Sequence, residues 1–251
     1  MILLIDIGNT RVKWARLDQG NLQPQAAIAH AGLGTEAFVA AVLQTGGRAE
    51  RVLVSNVGGV RIADVVREAI GQTWQIEAEF VTSSAAAGGV RNAYPQPSKL
   101  GVDRWLAMIG AHALDRSAAC IVSVGTAMTI DGIDSDGRHL GGVIVPGPEL
   151  MVASLMANTS DIAQRAEQGY TRDGLFADNT LGAIQQGAAH ALGALVERAV
   201  ALMRRTSSEP LRLLLTGGAS RPVEQAIGIP HRVVPDLVLR GMAVIAAESG
   251  R

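Results

Sequence analysis

Two stretches of the sequence repeat each other's logic. "LIDIGNTRVKW" (residues 4–14) and "IVSVGTAMTID" (residues 121–131) superpose at an offset of 117 residues. Ile5 falls on Val122, Ile7 on Val124 and Gly8 on Gly125. Each stretch is a short apolar run, read as a buried strand, broken by glycine and followed by a second β-rich run. Two halves that both open strand, Gly turn, strand point to an α/β fold built by duplication, with halves at residues 1–116 and 117–251. One position departs from the repeat: Asp6 falls on Ser123, a carboxylate against a hydroxyl.

Between these openings the pattern alternates. The first half shows strands at 2–7, 12–17, 51–55 and 76–81, and helices at 36–44, 62–70 and 102–114. The second half shows strands at 120–124, 127–133, 139–145, 211–215 and 232–234. A long helix spans about 181–205, capped by Asn179 or Thr180, and a last one spans 239–248. Small residues along the long helix (Gly182, Ala183, Gly187, Ala188, Ala191, Gly193, Ala194) suit close packing at an interdomain or dimer contact. Residues 88–105, "GGVRNAYPQPSKLGVDRW", break the rhythm, since two prolines preclude a regular helix there. That loop reads equally as a polar connection or as a functional one.

Composition narrows the function classes. The 251 residues suit one large domain or two of about 120 each. Hydrophobic residues make up 48% and charged residues 18%, which supplies a core and argues against disorder. The net charge of −1 gives no field to attract nucleic acid or anionic lipid. No uncharged apolar run reaches the ~18 residues of a membrane span, and the N-terminus has no basic segment of a signal peptide. A soluble cytoplasmic protein is expected. The single cysteine, Cys120, excludes an internal disulfide and a Cys-based metal site. It opens an apolar run and reads as a buried, inert thiol. Lys13 and Lys99 are the only lysines.

The glycine turns carry the chemistry. In "DIGNT" (Asp6–Thr10 in sequence) a tight turn leaves backbone N–H groups facing outward, and Asn9 and Thr10 add side-chain donors. Phosphate oxygens accept such bonds. Asp6 would repel phosphate unless a cation lay between, the usual place for a carboxylate holding hydrated Mg²⁺. The alternative is that Asp6 and Asn9 merely shape a hairpin. "SVGT" offers the same turn with Thr126 as donor, and "LTGGAS" (215–220) a third, suited to a nucleotide's sugar or base or simply to opening a helix. The helix-opening GxxxxGK[ST] loop is absent.

"DIGNT", "SVGTAMTID" and "LTGG" on a duplicated β-rich chain resemble the actin/sugar-kinase/Hsp70 superfamily. More narrowly, "DIGNTRVKW", "NAYPQPSKLGVDRW", "VGTAMTID", "LGGVIVPG" and "NTLGAIQQG" resemble, in order, the blocks of the type III pantothenate kinases. The resemblance implies two similar ribonuclease-H-like halves, an actin-like ATPase fold. It implies transfer of phosphate from ATP to the 4′-hydroxyl of pantothenate, the first step toward coenzyme A, with Mg²⁺. Asp6, Ile7, Gly8, Asn9, Thr10, Arg11, Val12 and Lys13 match its phosphate segment, and Thr126 an ATP contact. Tyr94, Gly101, Val102, Asp103, Arg104 and Thr180 match its substrate contacts, with Asp103 as base. The family is dimeric. Where it carries an Asp associated with a monovalent cation, K⁺ or NH₄⁺, this chain has Ser123, a degenerate form of that position.

Elementary chemistry agrees with these roles. A primary alcohol becomes a nucleophile when a carboxylate takes its proton. Phosphoryl transfer otherwise needs alignment and charge neutralisation. Arg104 is a planar cation able to pair with a carboxylate substrate. For Asp103 and Arg104 the alternative is a helix-start Asp beside a solvated Arg. Two other functions compete: a non-catalytic binding or regulatory protein on the same scaffold, favoured only by Ser123, and a phosphatase acting on polyphosphate, disfavoured by the Tyr94–Arg104 segment.

Overall fold

A computed structural model describes residues 1–159, 174–206 and 210–249. The chain forms two compact units. One comprises Met1–Arg116, Asp136–His139 and Asp236–Arg251; the other Ser117–Ser135 and Leu140–Pro235.

The first unit is built on β1 (Ile2–Ile7), β2 (Arg11–Asp18), β3 (Asn21–Leu22), β4 (Ala26–Ala29), β5 (Arg51–Asn56) and β6 (Ala78–Phe80). The strand order is β3-β2-β1-β5-β6, with β4 also on β2. β1 runs antiparallel to β2 and parallel to β5. Its near-continuous apolar run follows from burial on both faces. Leu3, Ile5 and Ile7 enter a core with Phe38, Ile62 and Val66, while Leu4 enters another with Leu106, Leu239 and Met242. The first core is covered by α1 (Thr35–Phe38), which continues into a wider π-helical turn (Val39–Leu43), and by α2 (Val60–Trp74). A small hairpin, β7 (Ala86–Ala87) and β8 (Val90–Arg91), and a 3₁₀ turn (Pro97–Lys99) replace regular structure in the proline-containing loop. The helix α3 (Val102–Leu114) follows, as its 3.6-residue apolar spacing requires.

The second unit repeats the topology. Its strands are β9 (Ala118–Val124), β10 (Ala127–Ile133), β11 (His139–Pro146), β12 (Leu211–Thr216) and β13 (Arg232–Val233). Their order, β11-β10-β9-β12-β13, and their antiparallel-then-parallel pairing reproduce the first sheet. This is the expected pair of ribonuclease-H-like halves. α4 (Pro148–Asn158), α5 (Thr180–Thr206) and α6 (Ser220–Gln225) complete the unit. Leu192, Val196 and Val200 of α5 pack with Val122, Ile130 and Leu215. Cys120 lies in the same core, where burial and the Asp131 carboxylate push its thiol up to about 12.

Three differences from the sequence reading have physical causes. α4 has no counterpart in the sequence reading, and α6 only the alternative that "LTGGAS" opens a helix. The apolar residues of α4 are spread around its circumference, and α6 is too short, so neither shows a stripe. The last helix, α7 (Leu237–Glu248), belongs to the first unit and not the second. Gly110 and Gly241 let α3 and α7 touch backbone to backbone, against the carbonyls of Leu237 and Leu106. Finally, Gly193 of α5 abuts the Ala226 carbonyl within the second unit, so that small residue serves packing inside one unit.

Candidate active site

The site in the first unit is assembled at the C-terminal end of β1. Asp6 stands opposite Lys13 of β2 and Ser55 of β5. Ser55 Oγ donates to Asp6 Oδ1 at 2.9 Å, and both residues are buried. Burial raises the Asp6 carboxyl to about 6. Lys13 and the Ser55 hydroxyl oppose that rise, and the Asp103 carboxylate adds to it. Asp6 and Asp103, 97 positions apart in the chain, therefore feel each other's charge. A buried carboxyl raised to about 6 and within electrostatic reach of a second carboxylate is an arrangement that favours a bound cation.

The turn after β1 is closed by Gly8 N–H donating to the Arg11 carbonyl at 2.9 Å. Asn9, Thr10 and Arg11 are exposed. Ile7 and Val12 are fully buried in the core. Like Gly8, which has no side chain, those two can offer a ligand only their backbone.

The loop before α3 is shaped by Asn92. Its Oδ1 accepts from Tyr94 N–H at 2.9 Å, and its Nδ2 donates to Ser84 O at 3.2 Å. Ser83 Oγ fixes the Leu100 carbonyl at 2.9 Å. Tyr94 is thereby presented half-buried, with its ring parallel to His139 (6.1 Å between centroids, 11° between planes). Its hydroxyl accepts from Arg104 Nη1 at 3.2 Å. Arg104 is 5% exposed, which excludes the solvated surface arginine that spacing alone allowed. Gly101 is the N-cap of α3, and Asp103 sits partly buried in its first turn, where the helix dipole favours a carboxylate. Tyr94, Gly101, Val102, Asp103, Arg104 and the Asp6–Lys13 segment thus belong to one unit.

Ser123, Thr126 and Thr180 belong to the other unit. The sheet register explains Ser123. Asp6 is flanked by Lys13 and Ser55; Ser123 is flanked in the same way by Thr129 and Thr216. The charged pair of the first half is replaced by a row of three hydroxyls. Asp131 lies on the same face one pair further along, beside Ile121. Thr126 is exposed at the turn after β9, which Gly147 approaches closely at the Gly125 carbonyl. Thr180 opens α5, and Asn179 is its cap, accepting from Gly182 N–H at 2.8 Å. A cavity of about 890 Å³ lies within this unit, lined in part by Glu149, Gln185, His190, Gly218 and Arg221. Gly218 places the "LTGG" turn at its wall. Among the described residues no cluster of three His, Cys, Asp or Glu forms a metal site, and no helix is long and apolar enough to cross a membrane.

Ser55, His139 and Asn92 were not singled out from the sequence. Ser55 ends an apolar strand at the level of Asp6, a signal available only once the parallel pairing is known. His139 follows a "DSDG" turn and gives no local sign of stacking on Tyr94.

Residues 2–202 match the family model described as type III pantothenate kinase. A type III pantothenate kinase of Nitrosococcus oceani is 36% identical, covering 100% of this chain and 96% of the relative. One from Aromatoleum aromaticum is 38% identical, covering 99% and 98%. Among solved structures, component A of (R)-2-hydroxyglutaryl-CoA dehydratase from Acidaminococcus fermentans has a TM-score of 0.55 at 13% identity, covering 100% and 99%, a likeness of fold.

Proposed function

The chain belongs to the type III pantothenate kinase family, and from that premise we propose that it phosphorylates the 4′-hydroxyl of pantothenate with ATP. Asp6, buried at the end of β1 with Ser55 on its carboxylate and within electrostatic reach of Asp103 on α3, carries the reading. Asp103 accepts the hydroxyl proton as the alcohol oxygen bonds to the γ-phosphorus. The bridging P–O bond to the β-phosphate breaks and ADP leaves. Arg104, held by Tyr94, pairs with the pantothenate carboxylate. Gly101 and Val102 shape the turn that presents Asp103. Gly8 shapes the turn, its own N–H being spent on the Arg11 carbonyl, and the N–H groups and side chains of Asn9 and Thr10, with Arg11 and Lys13, receive the phosphates. Thr126 as an ATP contact and Thr180 as a substrate contact rest on the family resemblance alone.

The donor set at Asp6, one hard carboxylate with a hydroxyl beside it, fits Mg²⁺ held through water and phosphate oxygens. When bound, that ion neutralises charge on the transferring phosphate. The cavity at the "LTGG" turn, within the second unit, has room for a nucleoside. A coupled assay with ATP and pantothenate, run against ATP alone and ATP with polyphosphate, tests the whole reading. Product 4′-phosphopantothenate is expected only with both substrates. ADP released without pantothenate would overturn it.

Arg104→Lys is expected to raise the KM for pantothenate more than that for ATP, because lysine keeps the charge but loses the bidentate fork and the Tyr94 geometry. Equal changes in both constants would remove Arg104 from the carboxylate site.

The Ser123 position does not fit a monovalent cation. Three neutral hydroxyls offer ion–dipole attraction only, and the first-half carboxylate has no counterpart there. Initial rates are expected to change little with KCl at constant ionic strength. Ser123→Asp should introduce K⁺ dependence, since an unpaired carboxylate at a strand end is costly without a cation. Steep K⁺ activation of the unmodified protein would show that other oxygens, Asp131 among them, supply the site.

We also assign a homodimer, working in the cytoplasm, where ATP is abundant. β11 is an edge strand whose Leu140, Val143 and Ile144 are 45%, 45% and 61% exposed, and α4 adds Leu150 and Leu155 at 43% each. Exposed apolar side chains grouped on an edge are a common mark of an interface. Light scattering is expected to give twice the 26.1 kDa chain mass; a single-chain mass would remove the dimer.

A further inference from the structure

We propose that His30 is a positioning residue for ATP, acting through the turn after β1. It follows β4, 20 or more positions beyond the turn it serves. Its ring is buried, 7% exposed, and Nε2 lies 2.8 Å from the Gly8 carbonyl oxygen. A carbonyl only accepts, so Nε2 carries the proton and donates. Among the described residues Nδ1 is buried without a partner, which leaves the Gly8 contact as the ring's polar role. The backbone of His30 holds the same turn a second time, its N–H donating to the Thr10 carbonyl at 3.2 Å.

His30 is itself anchored. Its carbonyl accepts from Arg61 Nη2 at 2.9 Å and from Leu33 N–H at 3.1 Å. Arg61 Nη1 reaches the Leu33 carbonyl at 3.3 Å. On another side of the Gly8 carbonyl stands Gly58, where any side chain would collide with that oxygen. Val57 N–H meanwhile donates to the Ile7 carbonyl at 2.9 Å.

The consequence follows from peptide geometry. The peptide bonds of the described residues are trans, and in a trans peptide C=O and N–H point in opposite directions. Pinning the Gly8 carbonyl toward His30 therefore turns the Asn9 N–H away from it, to the exposed side of the turn where Asn9 and Thr10 lie. Without the donor, Gly8 is the one residue in the turn that can rotate cheaply, having no Cβ. Rotation would swing a carbonyl dipole to the side meant for phosphate and remove a donor in the same movement. His30 thus sets the sign of the dipole that an anion meets.

The inference rests on the reading of this turn as the phosphate site, and the test separates the two. His30→Leu, which removes the donor, and His30→Gln, which keeps an N–H donor, are compared with the unmodified protein. The readouts are steady-state kinetics and calorimetric Kd for Mg-ATP without pantothenate. One lost hydrogen bond predicts about a 3- to 10-fold rise in KM and Kd for ATP in His30→Leu. The KM for pantothenate is expected within twofold of the original, and His30→Gln should recover most of the loss. A merely structural role would lower melting temperature or active fraction and leave both ATP constants unchanged, which would overturn the proposal. So would His30→Gln binding ATP as weakly as His30→Leu. If His30→Leu does not fold, His30→Met, also without a donor, takes its place. Absence of phosphopantothenate from the unmodified protein would overturn the kinase reading instead, while the Kd comparison still decides His30.

Discussion

Asp103→Asn is expected to lower turnover by roughly 10²–10⁴, the usual cost of removing a general base. That loss corresponds to about 3–5 kcal/mol of transition-state stabilisation. The amide has the carboxylate's shape and keeps its place in the first turn of α3, but it cannot take the hydroxyl proton. The loss should therefore fall on kcat. Folding, and pantothenate affinity by calorimetry, should stay near those of the unmodified protein, since Arg104 and Tyr94 are untouched and 3.2 Å apart. The neutral amide also removes the repulsion between Asp103 and Asp6. Turnover within threefold of the original would show that the base lies elsewhere.

Asp6→Asn should damage ATP use and stabilise the metal-free protein at once. The activity loss follows from charge. A unit charge about 4 Å from a cation is worth roughly 4 kcal/mol at an effective dielectric of 20, so a loss on the order of 10²–10³ is expected, and added Mg²⁺ should restore only part of it. The stability gain follows from the raised carboxyl. Asp6 titrates at about 6 in the folded chain, against a reference value of 3.8. Below 3.8 the group is protonated in both states and costs nothing. As pH rises from there to 6, the unfolded chain ionises first and the folded state loses ground; above 6 the penalty is constant. A shift of that size amounts to about 3 kcal/mol. Asparagine avoids the charge but leaves its own N–H groups seeking partners, so a net gain of about 1–2 kcal/mol is expected. For a chain of this length that is a rise of roughly 2–8 °C in melting temperature. The gain should be full at pH 8 without metal and shrink toward pH 4.5. A gain that grew on acidification, or none at pH 8, would refute the buried-charge account.

These effects are opposite in sign because the site stores an unfavourable charge for use. β1 would be more stable with an apolar or neutral residue at position 6, as its neighbours Leu3 to Ile5 show by their complete burial. The second half took that course. With Ser123 beside Thr129 and Thr216, three neutral hydroxyls stand where the first half carries Asp6, Lys13 and Ser55. The duplicated fold keeps its architecture through either choice, since sheet order depends on apolar alternation and not on one polar side chain.

Elements with a strong local signature were legible in the chain of residues alone. Continuous apolar runs fixed β1 and β9 as doubly buried strands, and 3.6-residue spacing fixed α3 and α5. Glycine after an apolar run marked the turns, and Asn179 marked the start of α5 because capping is local. The offset between halves gave the duplication, and the motifs gave the family. Long-range pairing decided the rest. Only the register of β5 on β1 brings Ser55 to Asp6, and only the fold brings Asp103 within range of the same carboxylate. Burial turned Arg104 from a candidate surface charge into a fixed cation, and the placement of α7 in the first unit needed Gly110 and Gly241 to meet the carbonyls of Leu237 and Leu106. Such contacts join residues far apart in sequence through shape and exclusion of water. No window of neighbouring residues carries that information, which is why tertiary structure, and not sequence, set the charge state of the site.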